Sequence, residues 1–180
     1  RLLWELGSLA TACPPEGITP TPTDDNLYIW SLAVTFADAA APRALDADFI
    51  AAGIPRVVHS EVRFPGEYPV VPPIVRVLRS VFRYPSTFVD ETGALCMEVL
   101  TSAGWESAVE MLGIAACVKA TLLSVDARLD VRRSRSGGGY KGGVRAAMAA
   151  FRGMAASHGR RVPAAQGVVV DEAALFPDGR

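Results

Sequence analysis

At 180 residues the chain is long enough for one domain with a sizeable core. Half of it is hydrophobic and 21% is charged, an ordinary globular mix, and no apolar run approaches the roughly 20 residues of a membrane-spanning helix. The net charge of -1 hides a basic segment from Arg128 to Arg161, in which Asp130 is the one acid.

The chain opens on Arg1-Leu2-Leu3-Trp4-Glu5-Leu6. Leu2, Leu3, Leu6 and Leu9 make a helical stripe that Cys13-Pro14-Pro15 stops. The apolar stretch is too short for a signal peptide and no small-residue cleavage site follows. The missing initiating Met is what a fragment would show. Asp24-Asp25-Asn26 signals a turn. Leu27 to Phe36, rich in aromatic and β-branched residues, predicts a strand, and a long Ala-, Asp- and Pro-rich connection is expected from Ala37 to Ile54. Arg56 to Phe64 predicts a second strand, antiparallel to the first. Pro65 to Pro73 can be neither helix nor central strand. Ile74 to Phe82 alternates as a further strand. The pattern is then irregular as far as Trp105, and Cys96 lies inside this stretch.

Ala108 to Ser124 predicts a helix. Val109, Leu112, Ala116, Lys119 and Leu123 step by three or four residues, and Met111, Ala115, Val118 and Leu122 thicken the apolar face. Ser134 to Gly143 is Gly- and Ser-rich and is expected to be a flexible linker. Val144 to Ser157 predicts a last helix, ended by Gly159. Strands in the middle and helices at both ends imply an α+β fold with an antiparallel meander. Residues 1–158 read as one core domain and 159–180 as a flexible tail.

Cys13, Cys96 and Cys117 are odd in number and far apart, so free thiols in the cytosol or nucleus are expected rather than a disulfide framework. Zinc needs clustered ligands, whereas His59, His158 and the cysteines stand alone. His59 can in principle partner a cysteine nucleophile, but the usual sequence around a papain-like nucleophile is missing. Gly137, Gly139 and Gly142 spell GxGxxG. They follow the polar run Arg132 to Ser136 rather than a buried strand, which points to a linker and not a dinucleotide site. The basic segment reads as a solvated face or as a contact for an acidic partner. Nucleic acid is disfavoured, because Tyr140 and Phe151 are its only aromatic residues.

Two remaining stretches resemble a known family. Phe64-Pro65-Gly66-Glu67-Tyr68-Pro69-Val70-Val71-Pro72-Pro73 is similar to the FPxxYPxxPP segment of ubiquitin-conjugating enzymes. Gly93-Ala94-Leu95-Cys96-Met97-Glu98-Val99-Leu100-Thr101, then Gly104-Trp105, resembles their active-site run. The wording of that run is that of the Q-type branch, as are Arg1-Leu2 with Glu5-Leu6, Asn26-Leu27-Tyr28 with Trp30, and Ala127-Arg128. The resemblance covers roughly residues 1–155. It implies the ubiquitin-conjugating-enzyme fold, a four-stranded antiparallel meander flanked by an N-terminal helix and C-terminal helices. It also implies Cys96 as a thioester carrier of ubiquitin, with the activating enzyme, ligases and substrate proteins as partners, no cofactor and no membrane. A thiolate suits that work because it is nucleophilic and its thioester stays reactive to amines. Cys117 is expected to be a buried structural thiol, and Tyr68 and Trp105 are expected to be anchors.

The chain departs from the family in one loop. Most members place His-Pro-Asn so that the Asn stands eight residues before the cysteine. Here Phe88 stands there, and Tyr84-Pro85-Ser86 lies two residues too far away. The Q-type branch also lacks a standard His-Pro-Asn. Ser86, Thr87 or a backbone N–H must then support the oxyanion. Asp126 and Asp130 are the candidates for the acid that orients an incoming amine, with a salt bridge to Arg128 or Arg132 as the plain alternative. Val70 and Glu106-Ser107-Ala108 fall where the family contacts its activating enzyme and ligases. The rival expectation is an inactive module of the same fold that binds ubiquitin or a ligase.

Overall fold

The computed structural model describes residues 1–12, 17–23, 26–36, 43–83, 88–101, 103–124, 127–140, 142–143, 145–147, 149–150 and 153. Helix α1 (Leu2–Thr11) leads into four strands, β1 (Ile18–Thr23), β2 (Asn26–Thr35), β3 (Val57–Arg63) and β4 (Ile74–Arg79), with α2 (Arg43–Ala52) between β2 and β3. Helices α3 (Met111–Ser124) and α4 (Val131–Arg135) follow. The strands form one sheet in the order β1-β2-β3-β4, and every neighbouring pair is antiparallel. This is the meander expected from the resemblance.

Alternation explains the register. Trp30, Leu32 and Val34 of β2, Val58 and Val62 of β3, and Val75 and Val77 of β4 are all buried on one face. Each such side chain contributes roughly 1.5–3 kcal/mol, so a one-residue slip that turned the set to solvent would be very costly. Met111, Ile114, Ala115, Val118 and Leu122 of α3 join them in the same core. The helix is apolar on most sides, and the buried stripe is this one, not the stripe through Leu112 and Ala116. Cys117 stands beside the stripe and is half-buried, not buried as expected.

Three further expectations need correction, and one strand had no expectation at all. The connection from Ala37 to Ile54 contains α2, whose Leu45, Phe49 and Ala52 recur at helical spacing and are buried; alanine and aspartate between them obscured the period. Strand β1, Ile18-Thr19-Pro20-Thr21-Pro22-Thr23, carries no pattern that predicts a strand. Its prolines are tolerated because it is an edge strand, paired on one side only. The strand predicted to reach Phe82 stops at Arg79. Ser80 takes a left-handed backbone (φ 70°), held by its hydroxyl donating to the Val57 carbonyl at 2.8 Å. The segment from Ser134 is not a linker in its described part, since α4 ends in it and Tyr140 is partly buried against the core. The described residues of 143–153 are helical, as expected; Cys13 lies outside the described residues.

Helix α2 is fastened to the chain after α3. Asp48, 4% exposed, accepts from Arg128 Nε (2.7 Å) and Nη2 (2.8 Å) and from the Leu129 amide (2.8 Å). Arg135 donates to the Ala51 carbonyl. The Arg128 hydrogen bonds hold the Asp48 carboxyl below the usual carboxylate range, against the opposing effect of burial. A lowered folded pKa means the stabilisation is fully present above the unfolded value of about 3.9 and is lost as pH falls through the folded value. Asp48→Asn should therefore cost about 2 kcal/mol at pH 7, less than the roughly 3–5 kcal/mol of a fully buried pair because Arg128 is partly solvated. Urea midpoints should show the gap to the unaltered protein closing below about pH 4.

Candidate active site

Cys96 ends a short extended segment laid along the free edge of β4. The Val77 amide donates to the Gly93 carbonyl (2.8 Å), the Leu95 amide donates to the Val75 carbonyl (3.0 Å), and Arg76 bridges Ala94 in antiparallel sense. On its other side the segment pairs with residues 88–90. Val89 bridges Leu95, Asp90 N donates to the Ala94 carbonyl (3.1 Å), and Cys96 N donates to the Phe88 carbonyl (2.8 Å). Cys96 is thus fixed through its backbone, outside any regular strand, with its side chain half-exposed. No disulfide joins it to Cys117.

The turn before it is built on Asp90. One carboxylate oxygen accepts from the Thr92 amide (2.8 Å), the Thr92 hydroxyl (2.6 Å) and the Ala94 amide (2.9 Å). Gly93 has φ 87°, and a Cβ there would meet the Val77 carbonyl at 2.5 Å, so no other residue fits. After Cys96, Met97 is buried and a 3-10 turn (Glu98–Leu100) follows. The Trp105 and Gly104 amides both donate back to the Thr101 carbonyl. A Cβ on Gly104 would collide with the Glu98 carbonyl.

The two segments that carry the resemblance meet in space. Trp105 Nε1 donates to the Pro69 carbonyl (2.7 Å), its ring lies 6.0 Å from that of Tyr68, and Tyr68 packs edge-on against Phe64 at 4.7 Å. The Tyr68–Pro69 peptide is cis. Tyr68 and Trp105 are therefore anchors. The Tyr68 hydroxyl donates to Glu5 Oε1 (2.5 Å), which also accepts from Arg1 Nε (2.7 Å), while Glu5 Oε2 accepts the Met111 amide (2.9 Å) at the start of α3. Burial pushes the Tyr68 phenol up, so it stays neutral and donates.

Phe88, at the position of the usual Asn, turns its side chain into the core, 4% exposed and edge-on to Phe82 at 5.7 Å. Only its backbone serves the loop. Ser86, Thr87 and Asp126 lie outside the described residues. The Asp130 carboxylate caps α4 by accepting the Arg133 amide at 3.0 Å. Arg128, offered as a salt-bridge partner for these acids, is engaged by Asp48. Asp90 and Tyr140 shape this neighbourhood without having been singled out, and Glu5 was named only as part of the resemblance. Asp90-Glu91-Thr92-Gly93 carried an Asx-turn signal; the partners of Glu5 and Tyr140 are distant in sequence.

A family model described as ubiquitin-conjugating enzyme matches residues 56–130, from the start of β3 through Cys96 to the end of the segment after α3. Ubiquitin-conjugating enzyme E2 13 of Schizosaccharomyces pombe is 29% identical over 127 residues, covering 71% of this chain and 70% of that protein. A Q-like ubiquitin-conjugating enzyme of Drosophila melanogaster is 34% identical over 85 residues, 47% of this chain and 26% of that one. Human ubiquitin-conjugating enzyme E2 Q1 is 30% identical over 122 residues, 63% of this chain and 26% of that one. The chain thus spans about a quarter of the fly and human relatives. Among solved structures, a Plasmodium falciparum ubiquitin conjugating enzyme E2 superposes with a TM-score of 0.54 at 22% identity, covering 70% of this chain and 98% of that one. Human ubiquitin-conjugating enzyme E2 G1 gives 0.52 at 23%, covering 67% and 90%. These two likenesses concern the fold.

Proposed function

We propose that the chain, which is similar to ubiquitin-conjugating enzymes and to members of their Q-type branch, accepts ubiquitin as a thioester on Cys96 and passes it to an acceptor amine or hydroxyl. The observation that carries this is the placement of Cys96, half-exposed on a segment whose backbone is bonded on both sides. A carrier thiol must be reachable, and it must not wander between the donor and the acceptor.

The Cys96 thiolate attacks the carbonyl of the activating enzyme's ubiquitin thioester, and that enzyme's thiolate leaves. The acceptor nitrogen or oxygen then attacks the Cys96 thioester carbonyl. The carbon–sulfur bond breaks, Cys96 departs as thiolate, and an amide or ester remains. Asp126 and Asp130 are the candidates for receiving or orienting the acceptor's proton. Exposed Val70 and the exposed run Glu106-Ser107-Ala108 support docking of the activating enzyme and ligases there. A reducing compartment, cytosol or nucleus, suits the free thiol.

Backbone N–H groups supply the oxyanion support in this reading, since Ser86 and Thr87 stand out of register and Phe88 offers no side-chain donor. Ser86→Ala and Thr87→Ala should each leave loading intact and change single-turnover discharge to free lysine by less than about three-fold. A defect of about ten-fold or more with an unchanged melt would assign the oxyanion contact to that hydroxyl. The burial of Phe88 also favours a second reading, a module that binds ubiquitin or a ligase without transfer. Mixing loaded protein with lysine and, separately, with threonine separates the two. Transfer to either acceptor supports the carrier, and a thioester that never discharges, or never forms, supports the module.

A further inference from the structure

The Gly-rich segment after α4 carries Tyr140, whose side chain touches both arms of the Cys96 loop. The segment itself is tied down. The Gly138 amide donates to the Arg133 carbonyl (2.9 Å), and Arg133 Nη2 donates to the Gly139 carbonyl (2.7 Å). Tyr140 follows, partly buried and packed on the core. Its hydroxyl accepts the Phe82 amide at 2.8 Å, on the arm that leads towards the loop before Phe88. Its ring lies against Gly93, where a Cβ would stand 2.9 Å from the ring, on the turn from which the Cys96 segment departs. Burial pushes the Tyr140 phenol up, so it remains a neutral hydroxyl at any working pH.

We propose that Tyr140 is a positioning residue for the Cys96 loop, its hydroxyl holding the incoming arm at Phe82 and its ring seating the outgoing arm at Gly93. This rests on the carrier role proposed for Cys96. The physical need comes from Phe88. With no side-chain donor at that position, backbone groups must meet the developing oxyanion, and they stabilise it only where the loop is held in one geometry. A single side chain that fixes both arms relative to β4 supplies that rigidity. It also gives the segment from Gly137 to Gly143 a purpose, since its positive-φ glycines, Gly137 (φ 68°), Gly142 (φ 77°) and Gly143 (φ 60°), let the chain turn on either side of Tyr140.

Tyr140→Phe keeps the ring and removes the tether to Phe82. Expected are loading within about two-fold of the unaltered protein and single-turnover discharge to free lysine slowed about five-fold or more. The alkylation rate of Cys96 by iodoacetamide across pH, read by peptide mass, should change while that of Cys117 does not. A merely structural role would lower the melt and slow loading and discharge together, and that result overturns the proposal, as does an unchanged discharge rate. Where Tyr140→Phe melts below the assay temperature, Arg133→Ala takes its place, with the same split expected at about two-fold or more because it only loosens the segment. If the unaltered protein does not load, the carrier role fails, and the alkylation profile alone decides for or against Tyr140.

Discussion

Cys96→Ala is expected to remove every trace of a thiol-sensitive ubiquitin adduct, while Cys13→Ala and Cys117→Ala retain it. Cys96 and Cys117 differ in setting, not in chemistry, and Cys13 lies outside the described residues. Cys117 projects from α3 and is half-buried beside the core. Its replacement by Ser should act on stability, through a hydroxyl placed on an apolar helix. Cys96 is exposed to a similar degree, but it ends an extended segment that is bonded to β4 on one side and to residues 88–90 on the other. Cys96→Ser adds a positive result to the loss. An oxygen nucleophile in the same place should form an ester that survives reducing agent and is cleaved by hydroxide, in lower yield because a neutral hydroxyl is the weaker nucleophile. An adduct that persists in Cys96→Ala and is reversed by thiol would place the carrier elsewhere.

The largest loss of stability is expected at Glu5. Its carboxylate is 2% exposed and joins three parts of the chain: Arg1 just before α1, Tyr68 in the proline-rich loop, and the first amide of α3. A negative charge at that helix N-terminus is also favoured by the helix dipole. Glu5→Ala would leave the Tyr68 hydroxyl and the Met111 amide without this acceptor in a buried place. The expected cost is about 3–5 kcal/mol, a large part of the roughly 5–15 kcal/mol that holds a domain of this kind. Glu5→Gln keeps the shape and one acceptor, and should cost about half as much. Urea unfolding followed by tryptophan fluorescence measures both, with Trp30 buried beside β3 and Trp105 bonded to Pro69 as reporters. Equal stability of Glu5→Ala and the unaltered protein would mean that the carboxylate contributes nothing net.

The central strands were legible because residues 27–36 are rich in aromatic and β-branched residues and residues 56–64 and 74–79 alternate, so none needed a partner to be read. Strand β1 escaped because threonine and proline carry no apolar alternation, and an edge strand does not require it. Helix α2 escaped because Leu45 and Phe49 are set among alanines and aspartates, one of which, Asp48, is a buried anchor rather than a surface charge. In α3 nearly every side is apolar, so the buried stripe could not be told from its neighbour until the sheet was in place. At the site, Cys96, the proline-rich loop and Trp105 were legible through a pattern that spans both segments. Tyr140 was not, because a glycine-rich surround reads as a linker whether or not its one aromatic residue finds a pocket. Phe88 was legible as an absence of a donor, and its burial against Phe82 gives that absence a structural reason.

The most direct measurement is a loading reaction with the unaltered protein, ubiquitin, activating enzyme and ATP, separated without reducing agent and mapped by mass. The expected result is a single adduct heavier by one ubiquitin, formed only with ATP, collapsed by thiol, and located on the peptide that carries Cys96. A protein that stays unmodified under conditions that charge another conjugating enzyme with the same activating enzyme would contradict the thioester role.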